Sequence, residues 1–186
     1  FDAILAAPSG LVFAQDDWAE SMGRVATPNG RIQLALPEFF DELRGLADEP
    51  APQPGAAFPF VLSAGERRSY TANTIVRNPD WRRKDREGAL SMNPADAERL
   101  GLADGAMARL STARGSWPVV VGLSDRMQPG HVSLPNGQGV DFPAGEAAAL
   151  HGAPPNELTS LEDRDAFAGT PWHKYVPARI EPLATP

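Results

Sequence analysis

The sequence predicts a mainly β domain closed as a barrel, and three observations carry that reading. From residue 58 onward, short apolar runs alternate with turn residues, the pattern of many brief strands. Nineteen prolines and seventeen glycines in 186 residues favour turns and short strands over long helices. The one well-marked helix in this region is short, with Asn93 suited to the N-cap, Pro94 to the first turn and Gly101 to the left-handed position past the last turn.

Taken in order, residues 1–57 read as a small α/β lead-in. Thr27-Pro28-Asn29-Gly30 is a turn signal, and Arg31-Ile32-Gln33-Leu34 alternates polar and apolar like a short strand. Pro37 suits a first helical position, and Phe39, Phe40, Leu43, Leu46 and Ala47 recur at helical spacing. Ala51-Pro52-Gln53-Pro54-Gly55 then reads as a Pro-rich linker, which sets the expected division into 1–57 and 58–186. Phe58 to Leu62 is the first expected strand of the second part. Asp104-Gly105 turns into a hairpin of Met107–Thr112 and Trp117–Leu123 through Ala113-Arg114-Gly115-Ser116. His131–Leu134 is a further strand. The chain past Pro135 reads as irregular from Ala144 to Pro155. Tyr175–Ile180 reads as a closing strand in which Pro177 limits the ladder.

Composition excludes several functions. The formal net charge is −7 and there is no cysteine, so disulfides, thiolate metal sites, iron–sulfur ligation and cysteine nucleophiles are ruled out. The acidic balance argues against a general nucleic-acid binder. No run of about 18 apolar residues occurs, so no membrane span is expected. The chain begins Phe1-Asp2 rather than with Met, which suggests a processed or excised piece. The three histidines show neither i, i+4 pairing nor a nearby cysteine, so no metal site is expected. Glu162, Asp163 and Asp165 read as surface charge, and no residue stands out as catalytic.

Charge is nevertheless concentrated locally. Glu66 to Arg86 holds seven basic residues against three acids. Gly65-Glu66-Arg67-Arg68-Ser69-Tyr70-Thr71-Ala72-Asn73-Thr74 follows an apolar strand with a glycine, guanidinium groups, hydroxyls and an amide. Such a segment either cradles an anion and reads a polar heterocycle, or is a solvated loop. Trp81-Arg82-Arg83-Lys84-Asp85-Arg86 offers phosphate contact and stacking, set against the simpler reading of a solvated or inter-domain loop. Ser133-Leu134-Pro135-Asn136-Gly137-Gln138-Gly139 is a Gly-rich turn after a strand. It lacks the third glycine of a dinucleotide fingerprint, since Phe142 stands there. It either lines a site through backbone N–H groups or merely reverses the chain. In Pro154-Pro155-Asn156-Glu157-Leu158-Thr159 two prolines stiffen the approach to an amide that either reads a base-like ring or caps a turn. Thr170-Pro171-Trp172-His173-Lys174-Tyr175 combines an aromatic body, an imidazole and an ammonium, or is simply a packed turn.

The ordered phrases Leu62–Arg77, then Pro94-Ala95-Asp96-Ala97-Glu98-Arg99-Leu100-Gly101-Leu102-Ala103-Asp104-Gly105, then Thr112-Ala113-Arg114-Gly115, then Pro154–Thr159 and the Lys174–Glu181 tail resemble the C-terminal domain of molybdopterin oxidoreductases. That group includes the formate dehydrogenases, periplasmic-type nitrate reductases and dimethyl sulfoxide reductases. The resemblance covers roughly Phe58 to Pro182 and implies a double-psi β-barrel with one or two short helices. It implies binding of bis-molybdopterin guanine dinucleotide, carrying molybdenum or tungsten, by Gly65, Arg67, Arg68, Ser69, Tyr70, Thr71, Asn73, Thr74, Asn156, His173 and Lys174. Many members have Gly-Arg where this chain has Gly65-Glu66, so the arginine role either passes to Arg67 or Arg68 or is lost, and several carry histidine in place of Tyr70. The metal ligand and any iron–sulfur cluster are implied to lie outside this chain. Its partners are then earlier domains of the same polypeptide and a redox subunit, in the cytoplasm, with no nucleic acid. The competing expectation is a stand-alone double-psi barrel acting as a binding or scaffold subunit of a redox complex.

Overall fold

The computed structural model describes residues 1–49, 54–66, 78–82, 85–144 and 147–183. The chain divides into two compact units, Phe1–Ala51 and Pro52–Pro186.

The first unit holds two α-helices, α1 (Asp2–Ala6) and α2 (Pro37–Gly45), and a 3₁₀ helix at Trp18–Arg24. None of the three buries a residue. Pro37 opens α2 as expected, its fixed φ suiting the first turn. The strand expected over Arg31–Leu34 does not form. Thr27 Oγ1 donates to the Arg31 carbonyl at 2.7 Å, and the Arg31 N–H donates to Asn29 Oδ1 at 3.1 Å. Neighbouring side chains thus take both backbone groups that a ladder would need.

The second unit is a closed six-stranded barrel, with strands β1 (Phe60–Glu66), β2 (Leu90–Met92), β3 (Met107–Thr112), β4 (Ser116–Leu123), β5 (His131–Pro135) and β8 (Val176–Pro182). Around the barrel the order is β1-β5-β2-β4-β3-β8. The pairs β1–β5 and β2–β4 are parallel, and the other neighbours are antiparallel. Parallel neighbours cannot be joined by a tight turn, so the chain must cross the barrel twice. This is the mainly β, double-psi architecture anticipated. Among the described residues no helix is long and apolar enough to cross a membrane.

Pleating explains which side chains fill the interior. Ala108, Leu110 and Thr112 of β3 alternate inward, as do Val119 and Val121 of β4 and Ala178 and Ile180 of β8. In β5, Val132 through Pro135 are all buried, as befits a strand covered on both faces. The helix α3 (Pro94–Leu100) is the one read from sequence: Asn93 Oδ1 accepts from the Ala95 N–H at 2.9 Å, and Gly101 sits at φ +69°.

Two expectations need correction. The stretch past Pro135 is not irregular: β6 (Val140–Ala144) and β7 (Ala147–His151) pair antiparallel as a separate two-stranded ribbon. Nor is Arg82, within the basic run, a solvated side chain. Arg82 is 2% exposed, and its guanidinium donates to Gln138 Oε1, because a buried charge must find polar partners.

Candidate functional site

A cleft opens at the end of the barrel where β1 and β5 finish. It has two adjoining lobes. The larger, about 760 Å³, is walled by Ala64 and Gly65 from β1, the Asn136–Gly139 turn, Pro154–Glu157, Thr159, His173 and Lys174. The smaller, about 450 Å³, runs on past Asn156, Thr159 and His173 to Arg114, Ser160, Leu161, Glu162 and Pro171.

The β1 wall depends on a bulge. Pairing with β5 slips between Ala64 and Glu66, and the intervening Gly65 has φ +78°, a conformation that disfavours any side chain. The bulge turns carbonyls toward the tail, and Lys174 Nζ donates to Ala64 O at 3.1 Å and Gly65 O at 3.0 Å. The Ala64 N–H donates to the His173 carbonyl at 2.7 Å. His173 Nδ1 lies 2.9 Å from the Pro171 carbonyl. A carbonyl can only accept, so Nδ1 carries the hydrogen in that bond. Glu66, standing where the resemblance implies an arginine, points away: its Oε2 accepts from Ser133 Oγ at 2.9 Å. The substitution therefore puts no carboxylate on the cleft wall.

The turn after β5 is built around a buried amide. Gln138 is 4% exposed, and a Cβ on Gly88 or Gly152 would stand 2.7 or 2.8 Å from its carbons. Only glycines allow the backbone so close. Among the described residues, the buried Asn136 Oδ1 and Gln138 Nε2 have no hydrogen-bond partner. An unpaired acceptor and an unpaired donor two residues apart are costly in a finished interior, and they give this turn capacity for a polar ligand.

Opposite it, Asn156 rides on a one-turn 3₁₀ helix, Pro155–Glu157. Leu158, fully buried in the core, anchors that turn with roughly 2 kcal/mol of burial. Thr112 Oγ1 donates to the Leu158 carbonyl at 2.9 Å, and a Cβ on Gly115 would come within 2.9 Å of the Glu157 carbonyl. The Thr-x-Arg-Gly phrase at the hairpin tip thus exists to receive the Asn156 segment. The Asn156 side chain is exposed to the cleft.

The wall beyond His173 rests on Asp165, which is no mere surface charge. Its carboxylate accepts from the N–H groups of Ala168 and Thr170, both at 2.6 Å, and of Phe167 at 3.0 Å. The Ala168 bond, then that from Thr170, holds its carboxyl below the usual carboxylate range. A lowered folded pKa means stability present above the unfolded value and lost as pH falls through the folded one. The turn is therefore expected to hold above the ordinary value of 3.8 and to loosen on acidification below it. Amide exchange at Ala168 and Thr170 measures this, and Asp165→Asn should show the fast exchange already at neutral pH. Exchange that ignores both acid and the substitution would contradict it.

Of the residues expected to form a site, the structure brings Gly65, Asn156, His173 and Lys174 to one cleft. Arg67, Arg68, Ser69, Tyr70, Thr71, Asn73 and Thr74 lie outside the described residues. Asn136, Gln138 and Arg114 were not selected from sequence, although the turn and the hairpin motif containing them were both noticed. No group of three or more His, Cys, Asp or Glu among the described residues could hold a metal ion.

Comparison with known proteins agrees with the fold. A "Probable oxidoreductase YoaE" of Bacillus subtilis (strain 168) is 26% identical over 113 residues, covering 59% of this chain and 16% of that protein. Among solved structures, acetylene hydratase from Pelobacter acetylenicus shares the fold with a TM-score of 0.58 and 19% identity, over 68% of this chain and 19% of that one. The chain thus spans less than a fifth of either relative. The model of the molydopterin dinucleotide binding domain matches residues 60–177, which hold five of the six barrel strands, the start of β8 and the residues lining both lobes of the cleft. The chain belongs to the molydopterin dinucleotide binding domain family.

Proposed function

We propose that this chain forms one wall of the binding site for bis-molybdopterin guanine dinucleotide in a molybdenum or tungsten oxidoreductase, and contributes no catalytic side chain. The observation that carries the reading is the two-lobed cleft with unsatisfied amides on one side and cationic groups along its length. A dinucleotide presents heterocycle edges, which need matched donors and acceptors, and a pyrophosphate, which needs N–H groups and positive charge. Asn136, Gln138 and Asn156 supply the first chemistry. Lys174, Arg114 and the backbone of the Gly137–Gly139 turn supply the second, so the residues present fit the group.

When bound, the cofactor supplies the redox chemistry and the protein supplies binding, orientation and electrostatics. Within that division, Asn156 orients a ring through paired donor and acceptor on a turn stiffened by Pro154 and Pro155. Lys174 fixes the tail against β1 through the Ala64 and Gly65 carbonyls and keeps a positive charge at the rim. An open cleft on this scale leaves a ligand partly uncovered, which supports completion of the site by other domains of the same polypeptide. The metal ligand, any iron–sulfur cluster and contacts with a redox subunit then belong to those domains. The B. subtilis relative is named a probable oxidoreductase, which supports the oxidoreductase class.

The test is nucleotide release. The full polypeptide carrying this chain, purified from a host that makes molybdenum cofactor, should yield guanosine monophosphate on acid hydrolysis, quantified by mass spectrometry. Asn156→Ala should lower the yield severalfold in folded protein. Absence of guanosine monophosphate from the wild type, across preparations that retain metal, defeats the reading.

A further inference from the structure

The second lobe has a chemistry of its own. Its outer wall is the hairpin tip, where Thr112 Oγ1 accepts from the N–H groups of Arg114 at 3.2 Å and Gly115 at 3.4 Å. The base of the Arg114 side chain is therefore fixed, while its guanidinium is exposed and forms no ion pair among the described residues. Across the lobe, Ser160 Oγ accepts from the Glu162 N–H at 3.1 Å, which leaves its hydroxyl hydrogen to donate elsewhere. His173 lines the same space from the shared wall, with Nδ1 engaged by the Pro171 carbonyl. Thr159 is different: its hydroxyl already donates to the Pro155 carbonyl. The first lobe is rich in amides, whereas the second offers a guanidinium fork, a hydroxyl and an imidazole. The first set suits a heterocycle edge, and the second suits an oxyanion.

We infer that Arg114 is the anion anchor of the second lobe and grips the pyrophosphate bridge of the dinucleotide while the adjoining heterocycle occupies the amide-lined lobe. This rests on the cleft being the dinucleotide site, as proposed above, and adds to it a residue, a ligand group and an orientation. One charge opposes the assignment. Glu162 lines the same lobe and repels an anion, so without Arg114 the lobe would be unfavourable to phosphate. Glu157 and Lys174, in the neighbouring lobe, have opposite charges and act at longer range, where salt screens them. The opposed pair predicts opposed effects: neutralising Arg114 weakens anion binding, and neutralising Glu162 strengthens it.

The experiment titrates this chain at low salt with guanosine diphosphate and with guanosine, following heat or amide shifts. The wild type should bind the diphosphate more tightly than the nucleoside. R114Q should lose about tenfold or more in diphosphate affinity, the size of a charge-assisted hydrogen bond, with guanosine affinity unchanged. R114K should retain part of the loss-free affinity, since charge survives but the fork does not. E162Q should gain a few-fold for the diphosphate alone. A merely structural role for Arg114 would weaken both ligands together, and that result, or full diphosphate affinity in R114Q, overturns the assignment. Failure of the wild type to bind either ligand overturns the underlying reading of the cleft instead, so the two failures are distinguishable. Thermal melts of each variant establish that folded proteins are being compared.

Discussion

Gly139→Ala is expected to destabilise the barrel unit by about 3 kcal/mol and to abolish binding in the larger lobe. Two separate costs combine. Gly139 has φ +72°, which an alanine adopts only at roughly 1 kcal/mol. Its new Cβ would also stand 2.5 Å from Pro154 Cδ and 2.6 Å from both Pro154 Cβ and the Pro154 nitrogen. A proline ring cannot swing aside, and the nitrogen is backbone, so relief requires the Pro154–Asn156 segment to move as a whole. That segment carries Asn156, and Leu158 holds it in the core, so relief and ligand contact are incompatible. Gly101→Ala is the control. Its φ is +69° with nothing within 4 Å of an added Cβ, so it isolates the conformational cost at about 1 kcal/mol. Urea denaturation of the two variants should separate their midpoints clearly. Equal losses would mean that the Pro154 contact does not set the turn.

How much of this was legible in the sequence follows from how local each signal is. α3 could be read because its cap, its first-turn proline and its terminal glycine lie within nine residues and act on their own backbone. The β3–β4 hairpin could be read for the same reason. The ribbon β6–β7 could not: Val140-Asp141-Phe142-Pro143-Ala144 and Ala147-Ala148-Ala149-Leu150-His151 are rich in alanine and carry a proline, all weak strand signals. Their pairing is decided by the partner strand and not by propensity. The register of β1 on β5 joins Val61 to His131, seventy positions apart, and no periodicity encodes it.

The candidate site divides along the same line. Asn156, His173 and Lys174 stood out through motif resemblance, and Gly65 through its place after an apolar run. Arg114 and Gln138 did not, because an arginine in a hairpin turn and a glutamine between two glycines are ordinary surface choices. What distinguishes Gln138 is that Gly88 and Gly152, from two other segments, close over it, and that Arg82 is buried against it. Glu66 shows the converse. It stands where the resemblance implies an arginine, yet β5 places Ser133 beside it as a hydrogen-bond donor. Only the closed barrel reveals which way a side chain at the end of β1 must turn.

The second large effect is expected away from the cleft, at Asp96→Ala, with a loss of about 3 kcal/mol. Asp96 is 1% exposed, and its Oδ2 accepts from the Gly130 N–H at 2.6 Å while Oδ1 accepts from Arg99 at 2.7 Å. Gly130 in turn accepts from the Val61 N–H at 2.9 Å, so one carboxylate links α3 to the turn that starts β5 and lies beside β1. Alanine would leave the part-buried Gly130 N–H with no acceptor from α3, and would leave a void where the buried carboxylate stood. Asp96→Asn should cost less, because an amide oxygen can still accept one of the two bonds. Arg99→Ala should cost less still: the Asp96 end of the pair is buried, but the Arg99 end is 65% exposed, so water can reach the vacated position while the Gly130 bond remains. The expected order of destabilisation is therefore Ala at 96, then Asn at 96, then Ala at 99, read from urea midpoints with amide exchange at Gly130 and Val61. If Arg99→Ala matched Asp96→Ala, the ion pair and not the Gly130 bond would be holding the helix to the barrel. The order matters for the cleft as well, because β1 and β5 run from this junction directly to Gly65 and Asn136, and their parallel register fixes the spacing of the two walls.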